Sequence, residues 1–198
     1  MPRISDGRPP AEPNSAGQKD RHQRMIRAAV KFGSTLDFEH VQMQDIATES
    51  EVAIATLYRY FPSKVHLFVG VMKSRVDLLD RALIVAEPGQ SPEAAAGDLL
   101  IRMTVDMYAE RLLSLSMIQS MIFAESLTSP DCEHIKDVFQ DVILRLAQWE
   151  DPTDDQRRRA WLLTQCWFGV LMMVLNGSRT RPLAEADIRR ACELLLSS

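Results

Sequence analysis

The residues best suited to binding chemistry lie in one short stretch, ATLYRYFPSK, which runs from Ala55 to Lys64. Arginine is the commonest reader of guanine, hydroxyl groups bond to bases or phosphates, and a small methyl group fits against thymine. A helix that turns such side chains outward therefore favours contact with DNA, although a solvated surface helix would carry the same residue types. With Leu57 at the centre of the buried face and about 100° per residue, the outward side chains are Ala55, Thr56, Tyr58 and Arg59.

The end of the same stretch indicates an anion site. Pro62 ends the short helix, because the residue before a proline is pushed out of the α region, and Ser63 is placed to cap the next helix. Lys64 lies on the first turn of that next helix, whose free N–H groups favour an anion. We therefore expect Lys64 to contact phosphate. The short helix upstream completes a helix-turn-helix, which lays its second helix in the major groove.

No residue pattern for catalysis or metal binding stands out. The four histidines and three cysteines are far apart, and the chain has no H-x-x-x-H, C-x-x-C or G-x-S-x-G pattern and no glycine-rich phosphate loop. The sequence therefore predicts no enzyme, no metal and no cofactor. A helical hydrolase or lyase with an unmarked site is the alternative.

The distribution of apolar residues and cysteines predicts a cytoplasmic protein with no membrane partner. The longest apolar run, CWFGVLMMVL, is about half of the roughly 20 residues that span a bilayer. Prolines occupy the N-terminal region where a signal peptide needs an apolar stretch. Unpaired, widely spaced cysteines fit a reducing compartment.

Charge and proline are unevenly spread along the chain. The net charge is −4, yet residues 1–75 hold 11 Lys and Arg against 8 Asp and Glu, whereas residues 76–198 hold 12 against 19. A basic N-terminal part and an acidic C-terminal part would suit different binding partners. Residues 1–19 carry four of the ten prolines and almost no large apolar residues, which predicts disorder. That segment is either a plain tail or a basic arm that reaches DNA.

Apolar residues recur at helical spacing after this segment, and no period-2 strand pattern is found. The pattern predicts an all-α fold of about nine helices, with a helix-turn-helix domain over 20–65 and a larger domain over 66–198. The stretch from Leu112 to Leu127 has no charge before Glu125, so we expect it at the centre of a bundle. The DPTDDQ sequence carries a capping box before the penultimate helix, and an Asn-Gly pair ends that helix.

The stretch MQDIATESEVAIATLYRYFPSKVHLF resembles the DNA-binding motif of the TetR family of bacterial transcriptional regulators. The resemblance implies three DNA-binding helices at the N-terminus and a larger helical body that binds a small effector and forms a homodimer. Within the family, VQM at 41–43, TLYRYFPSKVHL and DPTDDQ are similar to one branch, the actinobacterial repressors of cholesterol catabolism.

The resemblance also assigns positions near DNA. It implies contacts from the start of the second helix, from the reading helix and from the first turn of the fourth helix. Two positions depart from the family pattern, because Glu51 and Ala55 stand where glycine is common, and a turn residue with positive φ favours glycine. The DNA-contacting set expected from pattern and resemblance together is Gln42, Gln44, Ala55, Thr56, Tyr58, Arg59, Tyr60 and Lys64.

The resemblance implies an effector, and the residues of the body suggest its character. Methionine fills irregular space and adapts to varied ligands, although core packing explains any single apolar residue as well. Ser116, Gln119 and Ser120 lie in the apolar central helix, where buried polar groups need partners. We expect a large, mostly apolar ligand such as a steroid, a fatty acyl group or a coenzyme A thioester. The predicted ligand contacts are Met103, Met107, Met117, Gln119, Ser120, Met121, Phe123, Trp167, Phe168 and Met172.

Together these features favour a repressor that an apolar ligand releases from an inverted-repeat operator. The last two helices are expected to pair two copies of the chain, with Leu171 on the pairing face. The fourth helix is expected to pack Leu67, Val71 and Leu78 into the body. A helical protein-interaction module without sequence-specific DNA binding is the alternative.

Overall fold

The computed structural model describes residues 11–82, 84–125 and 130–197, and over these residues the chain forms nine helices and no strand. The predicted all-α fold and helix count are confirmed for this part of the chain. The helices are α1 (Ala16–Gly33), α2 (Met43–Glu49), α3 (Ile54–Tyr60), α4 (Lys64–Arg81), α5 (Pro92–Ala109), α6 (Arg111–Glu125), α7 (Pro130–Leu146), α8 (Asp154–Leu175) and α9 (Arg181–Leu196).

The first helix begins earlier than the composition predicts. Ser15 and Gln18 form a capping box, in which each side chain accepts from the other residue's backbone N–H. The prediction that all of residues 1–19 lie outside the fold is therefore wrong for residues 16–19. Residues 1–10 lie outside the described residues.

Helix boundaries elsewhere follow the predicted local signals. Ser63 caps α4, since its hydroxyl accepts from the His66 N–H at 3.4 Å. Thr153 and Gln156 form the predicted capping box at α8. That helix ends before Gly177, whose φ of 75° is the left-handed conformation that glycine adopts without steric cost.

Packing divides the chain into two compact units that differ from the predicted boundary at 65. The N-terminal unit takes residues up to 74 together with 111–133, and the C-terminal unit takes 75–110 and 134–198. The boundary moves because five further side chains are buried in the same core as α1, α2 and α3. These are Leu67, Phe68 and Val71 from α4 and Leu113, with Met117, from α6.

Close approach within the N-terminal unit depends on a glycine. Gly33 ends α1, and a Cβ atom placed on it would lie 2.7 Å from Phe68 and 2.8 Å from Leu113. Since both side chains are fully buried, α1 can contact α4 and α6 this closely only with glycine there. Leu67 and Val71 are buried in this core, which includes Leu113 and Met117 of the predicted body as well as residues of α1, α2 and α3. Leu78 is exposed, so its expected burial is wrong.

In the C-terminal unit, α9 packs against both α8 and α5. One face of each of the last two helices is buried inside this unit, with Leu171 on α8 and Ile188 on α9. The apolar run CWFGVLMMVL belongs to α8. Within the described residues, no helix is long and apolar enough to cross a bilayer.

Candidate nucleic-acid interface

The turn between α2 and α3 determines how the reading helix is presented. Glu51 adopts a left-handed backbone with φ of 53°, so it takes the conformation that glycine would take at this position. Arg24 of α1 donates to the Ser50 carbonyl at 2.9 Å and to the Glu51 carboxylate at 3.2 Å. The Val52 N–H bonds back to the Ala47 carbonyl at 3.0 Å. The helix-turn-helix therefore forms without glycine, with Arg24 holding its turn.

The outward face of α3 has the predicted orientation. Leu57 is fully buried, whereas Ala55 and Arg59 are exposed, Thr56 is half-buried and Tyr58 is 47% exposed. Hydroxyl, guanidinium and methyl groups thus meet solvent on one short surface. That combination can donate to and accept from base edges and phosphates.

Tyr60 does not belong to this face and is a correction to the predicted contact set. Its side chain is only 3% exposed and is part of the N-terminal core. The Arg59 guanidinium lies 5.1 Å from its ring centroid and donates to its hydroxyl at 3.3 Å. Helical periodicity places Tyr60 on the same face of α3 as Leu57, which agrees with the burial of its side chain.

The start of α2 also offers polar side chains to solvent. Gln42 precedes the helix with extended backbone, and Gln44 lies in its first turn, and both are exposed. An amide carries both donors and an acceptor. Their predicted contact with DNA fits this exposure and stays a prediction.

Lys64 is engaged within the chain. Its ammonium donates to the carbonyls of Phe38, Glu39 at 3.2 Å and Val41 at 3.0 Å, and lies 4.5 Å from the Phe38 ring centroid. Burial lowers the pKa of Lys64, and the nearby Glu39 carboxylate opposes that shift. The three N–H donors of an ammonium group are thus matched by three carbonyls. The phosphate contact stays a prediction, and the structure adds a second role in holding the α1–α2 connection to α4.

Half of the predicted effector residues lie in the N-terminal unit. Met117 is a core residue, and Met121 is half-buried and accepts from the Cys132 thiol at 3.7 Å. Gln119 is half-buried, whereas Phe123 is exposed. Packing in the core of the N-terminal unit is thus enough to explain an apolar side chain at Met117.

Two hydroxyls of α6 stand apart from the other buried hydroxyls. Ser116 and Ser120 are fully buried, and neither hydroxyl finds a hydrogen-bond partner among the described residues. Elsewhere, Thr104 donates to the Leu100 carbonyl four residues back, as buried helical hydroxyls often do. Being four residues apart, Ser116 and Ser120 share one face of α6. They could bond to a group that enters from outside the chain.

The other half of the predicted effector residues lie in the C-terminal unit. The Trp167 indole N–H donates to the Leu100 carbonyl at 3.1 Å and to the Thr104 hydroxyl at 2.9 Å, and its ring stacks on Phe139 at 5.1 Å. Trp167 therefore joins helices α5, α7 and α8. Met107 is buried, Met103 and Met172 are half-buried, and Phe168 is exposed.

A groove of about 640 Å³ lies on the C-terminal unit, and no sequence pattern predicts it. Trp149, Leu144 and Arg157 are among its lining residues, and none of the predicted effector residues lies on it. Its wall combines the end of α7, the following connection and the segment after α4. Such a groove is assembled from distant parts of the chain, which a local pattern does not reveal.

Six large apolar side chains are exposed on α8 and α9. Trp161, on α8, is 52% exposed and Leu194, on α9, is 63% exposed. Leu171, expected on this face, is only 1% exposed and belongs to the core, so that assignment is wrong. We call this surface the outer α8–α9 face. Its large apolar residues are Trp161, Leu162, Phe168, Met173, Leu183 and Leu194.

Comparison with known families gives two matches that cover most of the chain. Residues 26–71 match the model of bacterial regulatory proteins of the tetR family. Residues 89–195 match the model of the tetracyclin repressor-like C-terminal domain. The matched segments contain the helix-turn-helix and the outer α8–α9 face, respectively.

Similar proteins are repressors and regulators of the same kind. The HTH-type transcriptional repressor KstR of Mycolicibacterium smegmatis is 28% identical over 93% of this chain and 89% of its own length. KstR of Rhodococcus jostii is 29% identical over 91% of this chain and 83% of its own. The predicted likeness to actinobacterial repressors agrees with these relatives.

Solved structures share the fold. A TetR transcriptional regulator from Rhodococcus sp. RHA1 is 42% identical, with a TM-score of 0.84 over 92% of this chain and 97% of that one. The TetR family repressor FadR of Thermus thermophilus, in complex with lauroyl-CoA, is 16% identical, with a TM-score of 0.59 over 88% of this chain and 93% of that one. At this identity, the second likeness concerns the fold alone.

Proposed function

Since the chain belongs to the TetR family of bacterial DNA-binding transcriptional regulators, we propose that it is a homodimeric repressor which an apolar effector releases from its operator. The observation that carries the proposal is the exposed face of α3, where Tyr58 and Arg59 meet solvent on a helix-turn-helix. The relatives named KstR are themselves called repressors. The proposal places the protein in the cytoplasm and includes no catalytic step.

The outer α8–α9 face supports the homodimer. Exposed apolar patches of this kind mark interaction surfaces in soluble proteins, because leaving them in water is unfavourable. A two-fold axis through this face would bring α8 and α9 of both copies together. Two reading helices then require an inverted-repeat operator, with half-sites about 34 Å apart or somewhat more.

Two observations support a large, mostly apolar effector with a polar group. The unpartnered hydroxyls of Ser116 and Ser120 lie on a mostly apolar helix. A buried hydroxyl without a partner costs about 1–3 kcal/mol. A ligand oxygen bound to them would recover that cost. FadR of Thermus thermophilus holds lauroyl-CoA, which is an apolar chain with a polar carrier. A steroid or an acyl-coenzyme A thioester fits the same description.

Selection of bound DNA from a random pool tests the function directly. We expect an enriched inverted repeat, and we expect Tyr58→Phe, which removes only an outward hydroxyl, to weaken binding to it while leaving the thermal unfolding temperature unchanged. Ser197→Ala, in the C-terminal unit, is the control. A pool without any enriched sequence would favour the interaction module instead.

The enriched operator then serves to test the effector. Operator affinity is measured with and without cholest-4-en-3-one and lauroyl-CoA, in the parent and in the Ser116→Ala/Ser120→Ala variant. We expect one of the two compounds to release the parent, and the double variant to need more compound for the same release. Compounds that bind to the protein while operator affinity stays unchanged would contradict the proposed switch.

A further inference from the structure

The turn between α2 and α3 has the hydrogen bonds of a Schellman motif. The Val52 N–H donates to the Ala47 carbonyl at 3.0 Å, and the Glu51 N–H donates to the Thr48 carbonyl at 3.1 Å. This motif holds one residue in the left-handed region, where glycine is usual, and here Glu51 takes that place with φ of 53°. Glutamate reaches this region at a steric cost, so the turn needs further contacts to hold it.

Arg24 of α1 supplies such contacts. The Ser50 carbonyl lies at the end of α2, where carbonyls have no partner within the helix, and Ser50 is only 1% exposed. Arg24 donates to that carbonyl at 2.9 Å and to the Glu51 carboxylate at 3.2 Å. The Arg24 side chain is itself 29% exposed. One largely buried guanidinium therefore binds both the backbone and the side chain of the turn.

Lys31 offers a comparison on the same helix. Its ammonium donates to the Glu49 carboxylate at 2.7 Å, so it also joins α1 to the end of α2. Both of these side chains are exposed, however, and an exposed ion pair contributes little. Its partner is a side chain of α2 and not the backbone of the turn. The hold on the turn therefore comes from Arg24.

The conformation of the turn matters because it sets the direction of the reading helix. Helix α3 begins three residues after Glu51, so a change of φ at Glu51 redirects the chain immediately before α3. A recognition helix reads base edges only when it lies correctly in the major groove. Binding groups must be held to within about 0.5 Å and 10–20° of their productive geometry.

We propose that Arg24 is a positioning residue for operator recognition, which holds Glu51 in the backbone conformation that a glycine adopts without support. The proposal rests on the DNA-binding function above and adds a residue of α1 to it. Arg24 acts through the turn and not on DNA, since its guanidinium is bonded to Ser50 and Glu51. Arg24 should therefore become dispensable once residue 51 is glycine.

Rescue by glycine tests the proposal. Affinity is measured for the selected operator and for a duplex of unrelated sequence. Arg24→Ala should bind the operator on the order of 10-fold more weakly, as for a lost charge-assisted hydrogen bond to a buried carbonyl. Its affinity for the unrelated duplex, which depends on phosphate contacts, should keep the parent's value and salt slope. Arg24→Ala/Glu51→Gly should recover most of the lost operator affinity.

Three control variants separate the backbone effect from charge. Arg24→Ala/Glu51→Gln removes the same two charges but leaves a side chain at the left-handed position, so its operator binding should stay weak. Gln148 also has positive φ, at the end of α7 in the C-terminal unit. Arg24→Ala/Gln148→Gly should therefore stay weak as well. Lys31→Ala removes one cation from α1 and should bind like the parent.

Several outcomes would overturn the positioning role. Weaker binding of Arg24→Ala to both duplexes, with a shallower salt slope, would show a phosphate contact instead. Rescue by glutamine as complete as rescue by glycine would show that charge alone matters. Parent-like operator affinity of a folded Arg24→Ala protein would leave Arg24 without a role in recognition.

Two further comparisons keep the test decisive. If Arg24→Ala does not fold, Glu51→Gly is compared with Arg24→Ala/Glu51→Gly, and we expect similar operator affinity. A much weaker double variant would contradict the proposal. If the parent binds no operator, the proposed function is wrong, whereas operator binding by the parent without rescue by glycine overturns this inference alone.

Discussion

At the scale of single residues, Lys64 has a structural role in addition to its predicted contact with phosphate. Three backbone carbonyls of the α1–α2 connection accept from its ammonium group. Lys64→Met keeps the apolar stem but leaves those carbonyls without their donor. We expect the variant to lose about 1–3 kcal/mol of unfolding free energy and to bind operator more weakly. Chemical denaturation and DNA titration measure the two effects, and unchanged stability would leave Lys64 with the phosphate contact alone.

A second prediction at this scale concerns acid. Burial lowers the pKa of His22, with Lys73 acting in the same direction and Asp131 opposing it, and the ring lies 4.9 Å from Phe61. Since the folded pKa is below the unfolded value of about 6.5, the unfolded chain binds protons first as the pH falls. The contribution of His22 to the free energy of unfolding is therefore complete above pH 6.5. It is lost as the pH falls from about 6.5 to the folded pKa.

The His22→Phe variant provides the measurement for this effect. Phenylalanine keeps an aromatic ring beside Phe61 but cannot be protonated. Between pH 7 and 5 the parent should lose unfolding free energy, and His22→Phe should lose less. The variant should still lose some unfolding free energy over this range, because burial also lowers the pKa of His66. Parallel curves for parent and variant would exclude His22 as the source.

At the scale of helices, a glycine-to-alanine substitution should have opposite effects on stability at two positions of α1. A methyl group on Gly33 would meet Phe68 and Leu113 at less than 3 Å, whereas Gly17 has no atom within 4 Å of the same position. Gly33→Ala should therefore destabilise the N-terminal unit by about 1–3 kcal/mol through overpacking. Gly17→Ala should stabilise it by up to about 1 kcal/mol through helix propensity. Thermal unfolding of both variants checks the two signs.

The same elements show what the sequence could and could not predict. Helix ends were predictable where a local signal exists, as at Pro62 and Thr153, because capping involves residues only a few positions apart. The outward face of α3 followed from its period. The additions of Leu113 and Met117 to the N-terminal core were not predictable, because burial against a distant helix leaves no local pattern. Leu171 was misplaced for a related reason, since α8 has apolar residues on both its inner and outer sides.

At the scale of the whole molecule, the outer α8–α9 face predicts a dimer that operator binding requires. Trp161→Glu places a charge on this face and should give a folded monomer with much weaker operator binding, because one reading helix contacts only one half-site. Glu185 is exposed on α9, and its replacement by alanine removes no apolar side chain. The Glu185→Ala protein should therefore remain dimeric. Sedimentation velocity and DNA titration measure both properties.

The contrasting variant is Leu171→Glu. Because Leu171 is buried inside its own unit, a charge there should unfold the chain rather than separate two folded copies. Circular dichroism distinguishes these outcomes. A Trp161→Glu protein that remains dimeric would show that the two copies meet elsewhere.

The burial of α6 side chains in the N-terminal core has a consequence for how such regulators diversify. Recombination between two related genes that exchanges only the first 74 codons would bring in α1 and the first part of α4, both shaped around a different α6. At Gly33, where contact is closest, such a hybrid would carry a cavity or a clash. A hybrid that combines a new operator preference with the old effector preference therefore needs a residue at position 113 that fits the new α1. That position lies almost 40 residues beyond the crossover.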